Sequence, residues 1–151
     1  MSKVVVADST CLIGLSKIGR LGLLRELFES IMIPPAVYDE VVTSGRGRPG
    51  ADEVAAADWI ATCGPKDHLA VDSLRVTLGA GESEAIVIAQ EQNADFIILD
   101  DWQARQTALR LSLPVIGTVA VLAKAEEKGL ISDLNSALQE LRQVGFYFPV
   151  D

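Results

Sequence analysis

Acidic residues stand at four separate places in the chain where they could act together on a phosphate ester. Asp8 follows one short apolar run, Asp101 follows another, and Glu40 and Glu82 lie in segments with helical patterns. Carboxylate oxygens are the ligands that Mg²⁺ and Mn²⁺ prefer, and an ion held by several of them can lower the pKa of a bound water. The chemistry that such a set would support is hydrolysis of a phosphodiester bond.

Two of these acids come at the ends of strands that are predicted to be buried on both faces. Residues 4–7 and 96–99 are continuous apolar runs, a pattern that is typical of parallel sheets. Because such runs alternate with helical patterns, the chain is predicted to form βαβ units in an α/β fold with three layers, α/β/α, around a mainly parallel central sheet. Ligands collect beyond the carboxyl ends of parallel strands, so Asp8 and Asp101 are expected to meet there.

The remaining elements follow from hydrophobic periodicity. Further strands are predicted over residues 31–33, 115–116 and 146–148. Helices are predicted over 12–28 as two short pieces, then over 35–42, 51–59, 71–78, 82–92, 102–111, 119–128 and 133–144. Residues 44–50 are predicted to be a mobile loop that is too short to link two domains. A length of 151 residues is typical of a single domain, which is predicted over 1–151.

Each acid also has an ordinary structural interpretation when it is taken alone. Asp8 and Asp101 could cap the helices that follow them, Glu40 could be a solvated helix residue, and Glu82 could be a first-turn acid favoured by the helix dipole. Carboxylates at one edge of a sheet repel each other and cost stability unless they share a cation. The joint pattern therefore favours a metal site over four unrelated caps.

Two of the four positions have a rival acid close by. Glu82 and Glu84 are two residues apart and point about 200° apart on a helix, so only one of them can face the site. Glu82 is preferred because the residues three, four and seven positions after it are all apolar. Asp100 is the corresponding rival of Asp101.

Three stretches of the chain carry a family resemblance. Residues 4–13 combine a strand with an acidic turn, residues 33–41 place a glutamate after Pro34 and Pro35, and residues 82–101 follow an acid-helix-strand-acid pattern. In these features the chain resembles the PIN-domain ribonucleases, specifically the VapC-like toxin branch, over nearly its whole length. The insertion over 43–65 is similar to a sub-branch whose members often have no assigned substrate.

The resemblance implies a set of site residues. The implied catalytic acids, which hold Mg²⁺ or Mn²⁺ and orient the attacking water, are Asp8, Glu40, Glu82 and Asp101. The implied metal ligands among them are Asp8, Glu82 and Asp101. Further candidates for the site are Glu84, Asp100, Ser9 and Thr10. Leu99 stands where many relatives carry a hydroxyl residue, and Ser9 and Thr10 could supply hydroxyls instead.

The resemblance also implies a function. It implies a metal-dependent endoribonuclease that acts on RNA as the toxin of a toxin–antitoxin pair, forms a homodimer, and receives an antitoxin segment in its acidic cleft. An arginine in that segment would suit the cleft because a guanidinium pairs two carboxylate oxygens. The alternative is a catalytically silent binding module on the same fold, whose acids accept a basic partner segment. A phospho-acceptor regulator fits less well, because the paired acids follow the strand over 96–99 rather than the first strand.

Composition restricts the partners. The chain has 13 basic and 21 acidic residues and a net charge of −8, which argues against loose electrostatic binding to nucleic acid or anionic membranes. It does not exclude a nuclease, whose site must be acidic to hold metal. The basic residues that could contact RNA phosphates are Lys17, Arg20, Arg25, Arg105 and Arg110.

Other chemistries and compartments are disfavoured. Gly79 and Gly81 follow a helix and lack the third glycine of a dinucleotide loop, so no organic cofactor is expected. His68 is the only histidine and is expected in a polar loop facing solvent. Cys11 and Cys63 lack metal-ligand spacing and are expected to be reduced thiols, which favours the cytoplasm. The chain shows no signal-peptide pattern and no apolar run near the roughly 20 residues that span a bilayer.

Overall fold

The computed structural model of the protein describes residues 3–147. A parallel sheet has the strand order β3-β2-β1-β4-β5. Its strands are β1 (Val5–Ala7), β2 (Ile31–Ile33), β3 (Ile60–Thr62), β4 (Phe96–Ile98) and β5 (Val115–Ile116). The predicted α/β class with a parallel central sheet is confirmed.

Helices connect these strands and cover both faces of the sheet. They are α1 (Ser9–Lys17), α2 (Gly22–Phe28), α3 (Pro35–Tyr38), α4 (Ala51–Ala56), α5 (His68–Leu74), α6 (Ala80–Glu91), α7 (Trp102–Arg110), α8 (Thr118–Glu127) and α9 (Leu134–Gln143). Helix α3 begins with a proline, whose missing N–H costs nothing at that position. It continues directly into a π-helical turn over Asp39–Thr43.

Two apolar clusters lie on opposite faces of the sheet, because successive side chains of a strand point to opposite faces. Val5 and Ala7 pack into a cluster with residues of α1, α2, α8 and α9. Val6 and Ile97 pack into the other cluster with residues of α6 and α7. The sheet is therefore the middle of three layers, and its central strands are buried on both sides as the continuous apolar runs predicted.

The strand order reverses between β1 and β4. The chain proceeds from β1 outward to β2 and β3, and then returns to the other side of β1 to form β4 and β5. Ala7 is paired with Ile98, and the Asp8 N–H donates to the carbonyl oxygen of Ile98 at 3.2 Å. The carboxyl ends of β1 and β4 therefore lie side by side at the switch point, where open α/β sheets place their ligands.

The predicted strand over 146–148 is wrong for its first two residues. Gly145, with a φ of +86°, ends α9, and the Phe146 N–H donates to the carbonyl of Leu141 at 2.9 Å. The Gly145 N–H donates to the carbonyl of Arg142 at 3.0 Å, which completes a Schellman motif. Phe146 therefore closes the helix end instead of joining the sheet, and Phe148 lies outside the described residues.

Two helix predictions are corrected in the segment between β2 and α6. The helix predicted over 51–59 ends at Ala56, because the next residues lead into edge strand β3, which was not predicted. Only Ile60 in β3 is partly buried, so this strand carries little hydrophobic signal and depends on its pairing with β2. The helix predicted over 71–78 instead spans His68–Leu74, since the Asp67 side chain accepts the Ala70 N–H at 3.0 Å. His68 is exposed as expected, but it begins a helix.

The described part of the chain contains no helix that is long and apolar enough to cross a membrane. Cys11 and Cys63 are both free.

Candidate active site

A cleft of about 230 Å³ opens at the carboxyl ends of β1 and β4. Its lining residues are Asp8, Ser9, Thr10, Glu40, Gly79, Ala80, Gly81, Glu82 and Asp101. The four acids named from the sequence as catalytic candidates therefore border one cavity, together with both hydroxyl candidates. Glu84 and Asp100 are not among the lining residues.

Asp8 is buried in a way that helix capping does not explain. It occupies the N-cap position of α1, but its side chain makes no capping hydrogen bond there. Only 5% of the residue is exposed. Its pKa is raised to about 7, mainly by burial, which the Ser9 backbone N–H opposes and to which the charges of Glu82, Glu40 and Asp100 add. Within residues 3–147, no positive charge is found to compensate the buried Asp8 carboxyl group.

Glu40 reaches the cleft from the π-helical turn after α3. Such turns are rare and are frequently found at functional sites, because the wider turn changes the direction of the side chains it carries. The Ser9 hydroxyl donates to Glu40 Oε2 at 3.0 Å and fixes the carboxylate beside Asp8. Ser9 is itself buried at the start of α1. The Ser9 hydroxyl therefore joins the start of α1 to the π-helical turn at the edge of the cleft.

Glu82 and Asp101 serve both as helix caps and as lining residues. Glu82 Oε1 accepts the Gly79 N–H at 3.1 Å in the first turn of α6. Asp101 Oδ2 accepts the Ala104 N–H at 2.9 Å at the start of α7. Burial raises the pKa of Glu82, with a further contribution from the charge of Asp101. Asp101 therefore caps α7 and Glu82 is a first-turn acid of α6, as their ordinary interpretations predicted, but these hydrogen bonds use only part of each carboxylate.

Three of the acids share one pattern of hydrogen bonding. Glu40, Glu82 and Asp101 each give one carboxylate oxygen to a protein donor. Within residues 3–147, the other oxygen of each has no hydrogen-bond donor. The protein donors hold the carboxylates in place and leave one oxygen of each available for a ligand.

Gly81 is a cleft residue that sequence analysis did not single out for this role. A Cβ at this position would lie 3.1 Å from Asp8 Oδ1, 3.0 Å from Val37 Cγ2 and 3.9 Å from Glu40 Oε1. A side chain here would therefore occupy the space in front of Asp8. The sequence feature that could have identified Gly81 is a glycine next to a candidate acid in the first turn of a helix. Most other residues would favour the helix more at that position.

The two rival acids have structural partners elsewhere. Glu84 Oε1 accepts the Ala36 N–H at 3.1 Å and so satisfies a donor at the start of α3. Asp100 accepts the Thr118 N–H at 2.8 Å and the Thr118 hydroxyl at 2.7 Å. Burial raises the pKa of Asp100, against the opposing effects of these two bonds and of the Arg105 guanidinium. Asp100 therefore joins the end of β4 to the start of α8 behind the cleft.

Thr118 was not predicted as a site residue. It is fully buried, and it directly follows Gly117 at the end of β5, the strand next to β4. The sequence feature that could have identified Thr118 is its place: it is a hydroxyl residue just after β5, and β5 is the neighbour of the strand that leads to Asp100 and Asp101.

Most of the basic residues that were considered for RNA contact have partners within the protein. Arg20 Nε pairs with Glu140 Oε2 at 3.3 Å. Arg105 donates to the Leu99 carbonyl at 2.9 Å, and Arg110 donates to the Thr107 hydroxyl at 3.3 Å. Lys17 is exposed, and its ammonium lies 3.4 Å from the Val144 carbonyl. Of these four residues, Lys17 is the one that borders a groove next to the cleft.

The donor set of the cleft suits a hard divalent cation. Within residues 3–147, no group of three or more acidic, histidine or cysteine side chains converges closely enough to hold an ion by direct contacts alone. Mg²⁺ usually keeps several waters and is held by only one or two carboxylates, so a cleft with spaced carboxylates and room for water is compatible with it. The raised pKa of Asp8 and the open space that Gly81 leaves also fit the binding of a cation.

Comparisons with known proteins agree with this fold. The DUF3368 family, described as a PIN domain, matches residues 4–151. A PilT N-terminus domain protein from the archaeon Sulfolobus solfataricus P2 has a similar structure, with a TM-score of 0.54 and 21% identity over 81% of this chain and 92% of that one. A domain of a functionally unknown protein from Methanocaldococcus jannaschii gives a TM-score of 0.51 and 19% identity over 77% and 91%. No curated protein sequence matches the chain.

Proposed function

Because the chain belongs to the DUF3368 family of PIN domains, we propose that it is an endoribonuclease that depends on Mg²⁺ or Mn²⁺. PIN domains are generally nucleases and typically use divalent metal ions. The observation that carries the proposal is the cleft at the switch point of the sheet, where Asp8, Glu40, Glu82 and Asp101 border one space. Four acids from four elements are costly to place together without a cationic ligand.

In the proposed mechanism, Asp8, Glu82 and Asp101 would hold the metal ion together with waters bound to the ion, because three direct carboxylate contacts are not available in the described residues. When bound, the ion would neutralise charge on the phosphate and acidify water, as divalent ions do in phosphoryl hydrolysis. Gly81 keeps the space in front of Asp8 open for the phosphate and its water. The N–H groups of Gly79 and Ala104 keep Glu82 and Asp101 from turning away, because each holds one oxygen of its carboxylate.

Glu40 is the proposed acceptor for the proton of the attacking water. Its Oε2 is held by the Ser9 hydroxyl, and its Oε1 has no donor in the described chain. The water oxygen bonds to phosphorus, one water proton passes to Glu40, the ester P–O bond breaks, and the leaving oxygen takes up a proton. Solvent water in the open cleft can supply the proton that the leaving oxygen takes up, and Glu40 then returns its proton to solvent.

The further proposal is that this nuclease is the VapC-like toxin of a toxin–antitoxin pair in the cytoplasm and acts as a homodimer. The acidic, open cleft supports it, because a basic segment of an antitoxin could pair with the carboxylates and keep RNA and metal out. An arginine is the side chain that best suits paired carboxylates.

The proposal is tested with the purified chain, short single-stranded and structured RNAs, and Mn²⁺ or Mg²⁺ with and without a chelator. Wild type is expected to cleave internal bonds only when metal is present. Asp8→Asn is expected to lower the rate at least about 100-fold, because it removes a metal-holding charge. The control Asp72→Asn removes an exposed charge on α5, outside the cleft, and is expected to cleave like wild type.

Two results would contradict the nuclease proposal. One is that wild type fails to cleave any RNA at millimolar Mn²⁺ and binds no Mn²⁺ in calorimetry. The other is that Asp8→Asn and Asp72→Asn cleave equally well. If a basic peptide also bound the cleft and Asp8→Asn weakened that binding, the alternative of a catalytically silent binding module would be supported instead.

A further inference from the structure

A second cavity, of about 360 Å³, adjoins the acidic cleft. We call it the α1 groove, and its lining residues are Thr10, Ile13, Gly14, Lys17, Gly145, Phe146 and Tyr147. Thr10 lines both cavities, so the α1 groove begins where the cleft ends. We propose that the α1 groove is a subsite for one nucleotide of a single-stranded RNA, with the base stacked on Tyr147. This inference rests on the proposed ribonuclease function.

The floor of the groove is one face of α1. Thr10, Ile13, Gly14 and Lys17 are spaced at intervals of three and four residues and therefore lie on the same side of the helix. A Cβ at position 14 would lie only 2.6 Å from Phe146 Cδ2, so the Phe146 ring rests against the helix backbone. A glycine in a helix interior costs roughly 1 kcal/mol relative to alanine, and this contact accounts for its presence.

The wall of the groove is held by the end of α9. The Schellman motif around Gly145 fixes the backbone of Phe146 through its bond to Leu141. Because Phe146 is fixed against Gly14, the next residue, Tyr147, stands at the rim with 89% of its surface exposed. Aromatic side chains stack on unpaired bases, so the exposed ring of Tyr147, next to the anchored Phe146, can serve as a stacking platform.

The chemistry of the groove fits a nucleotide. Its volume lies near the lower limit of cavities that take small ligands. The exposed ammonium of Lys17 is one helical turn beyond Gly14 and would be available to a phosphate, while Tyr147 and Ile13 offer apolar contact to a base. Thr10 to Lys17 spans about 10 Å along the helix, roughly the length of three nucleotides in a stacked strand. A strand that is cut in the cleft can therefore continue along α1.

The subsite explains how a protein of net charge −8 could bind a polyanion. Stacking on an aromatic side chain does not depend on net charge and tolerates any base. RNA affinity at the groove should therefore depend on Tyr147 at all salt concentrations, and on Lys17 mainly at low salt.

The test measures binding and cleavage of a fluorescent single-stranded RNA by the full chain. Binding is measured by anisotropy in chelator, so that no cleavage occurs. Tyr147→Ala is expected to weaken binding at least fivefold and to raise KM equally with kcat unchanged, whereas Tyr147→Phe keeps the ring and stays like wild type. Leu69→Ala, at an 82% exposed residue on α5, is the control and is expected to bind normally.

A second arm identifies the base. Abasic nucleotides are placed one at a time along the RNA. At one position, the abasic RNA is expected to bind wild type as weakly as the intact RNA binds Tyr147→Ala. The same abasic RNA is expected to bind Tyr147→Ala with no further loss of affinity. Lys17→Gln is expected to lower the slope of log affinity against log salt by about 0.7, the value for one phosphate of a single strand.

These experiments distinguish a failure of the nuclease proposal from a failure of the subsite proposal. If wild type binds RNA in this way but does not cleave it with metal, the nuclease proposal fails and the subsite stands. If wild type cleaves RNA and Tyr147→Ala behaves like Leu69→Ala, or if the abasic and Tyr147 effects add at every position, the subsite is overturned. It is also overturned if Tyr147→Ala keeps its RNA affinity and instead loses self-association in sedimentation, which would make the groove a protein-docking surface.

Discussion

Gly81 faces Asp8 so closely that a methyl group on Gly81 would lie 3.1 Å from the Asp8 Oδ1 atom. Asp8 follows β1, and Gly81 lies in the first turn of α6, so this relationship joins two elements far apart in the chain. The glycine leaves room for a carboxylate and its ligand at the same place. The cleft therefore depends on a missing side chain as well as on the acidic ones.

Gly81→Ala is expected to weaken cation binding while leaving the stability of the fold nearly unchanged. Alanine favours the helix by roughly 1 kcal/mol, while its contact with Val37 opposes this gain, so the stability should change little. The methyl group displaces Asp8 and is expected to weaken Mn²⁺ binding about tenfold, as changes beside metal ligands commonly do. Calorimetric titration with Mn²⁺ and thermal unfolding check this, and an unchanged Mn²⁺ affinity would contradict it.

The stability of the metal-free protein is expected to fall as pH rises. The folded pKa of Asp8 is raised from 3.8 to about 7, so the native state holds a proton that the unfolded state has lost. With respect to this group, stability is therefore highest below about pH 4 and declines until about pH 7, at about 1.4 kcal/mol per pH unit. The raised pKa values of Glu82 and Asp100 act in the same direction.

Urea unfolding in chelator at constant ionic strength, between pH 4 and pH 8, measures this decline. Asp8→Asn is expected to flatten it and to be more stable than wild type at pH 8, because asparagine carries no charge to bury. Added Mn²⁺ should restore the stability of wild type and not that of the variant. If the stability of Asp8→Asn declines with pH as steeply as that of wild type, groups other than Asp8 cause the decline.

Glu82→Gln and Glu84→Gln form a matched pair on one helix. Glu82 lines the cleft, so its variant is expected to lose Mn²⁺ affinity and at least about 100-fold in cleavage rate, with little change in stability. Glu84 accepts an N–H of α3 that a glutamine oxygen can also accept, so its variant is expected to lose at most roughly 0.5–1 kcal/mol of stability and to cleave at the wild-type rate. The assignment is wrong if Glu84→Gln loses the rate and Glu82→Gln keeps it.

Thr118→Val tests the bridge behind the cleft. Valine has nearly the shape of threonine but removes the hydroxyl that donates to Asp100, which is expected to cost about 1.5–3 kcal/mol of stability and to raise the pKa of Asp100. Thermal unfolding measures the cost, and a cycle with Asp100→Asn measures the coupling. Thr107→Val, at an exposed hydroxyl of α7 outside the cleft and the bridge, is the control and should change stability much less. Additive effects of Thr118→Val and Asp100→Asn would show that the bond contributes no stability.

Sequence alone was sufficient for the class of the fold and for the acids that border the cleft. Continuous apolar runs identify strands buried on both faces, and an acid directly after such a run must stand at the carboxyl edge of the sheet. These inferences rest on the periodicity of neighbouring residues, which is why Asp8 and Asp101 could be named together. The same local rules did not find β3, because an edge strand with one partly buried residue carries almost no pattern.

Only the tertiary structure shows what the rival acids Glu84 and Asp100 bind instead, and what holds Glu40 in the cleft. Strand alternation places Asp100 on the face that α8 covers, where Thr118, 18 residues away, binds it. Glu84 faces Ala36, 48 residues away, and Ser9 reaches Glu40, 31 residues away. A hydrogen bond between groups so distant in the chain leaves no trace in local spacing, because it exists only once strand order and helix packing have brought the two elements together.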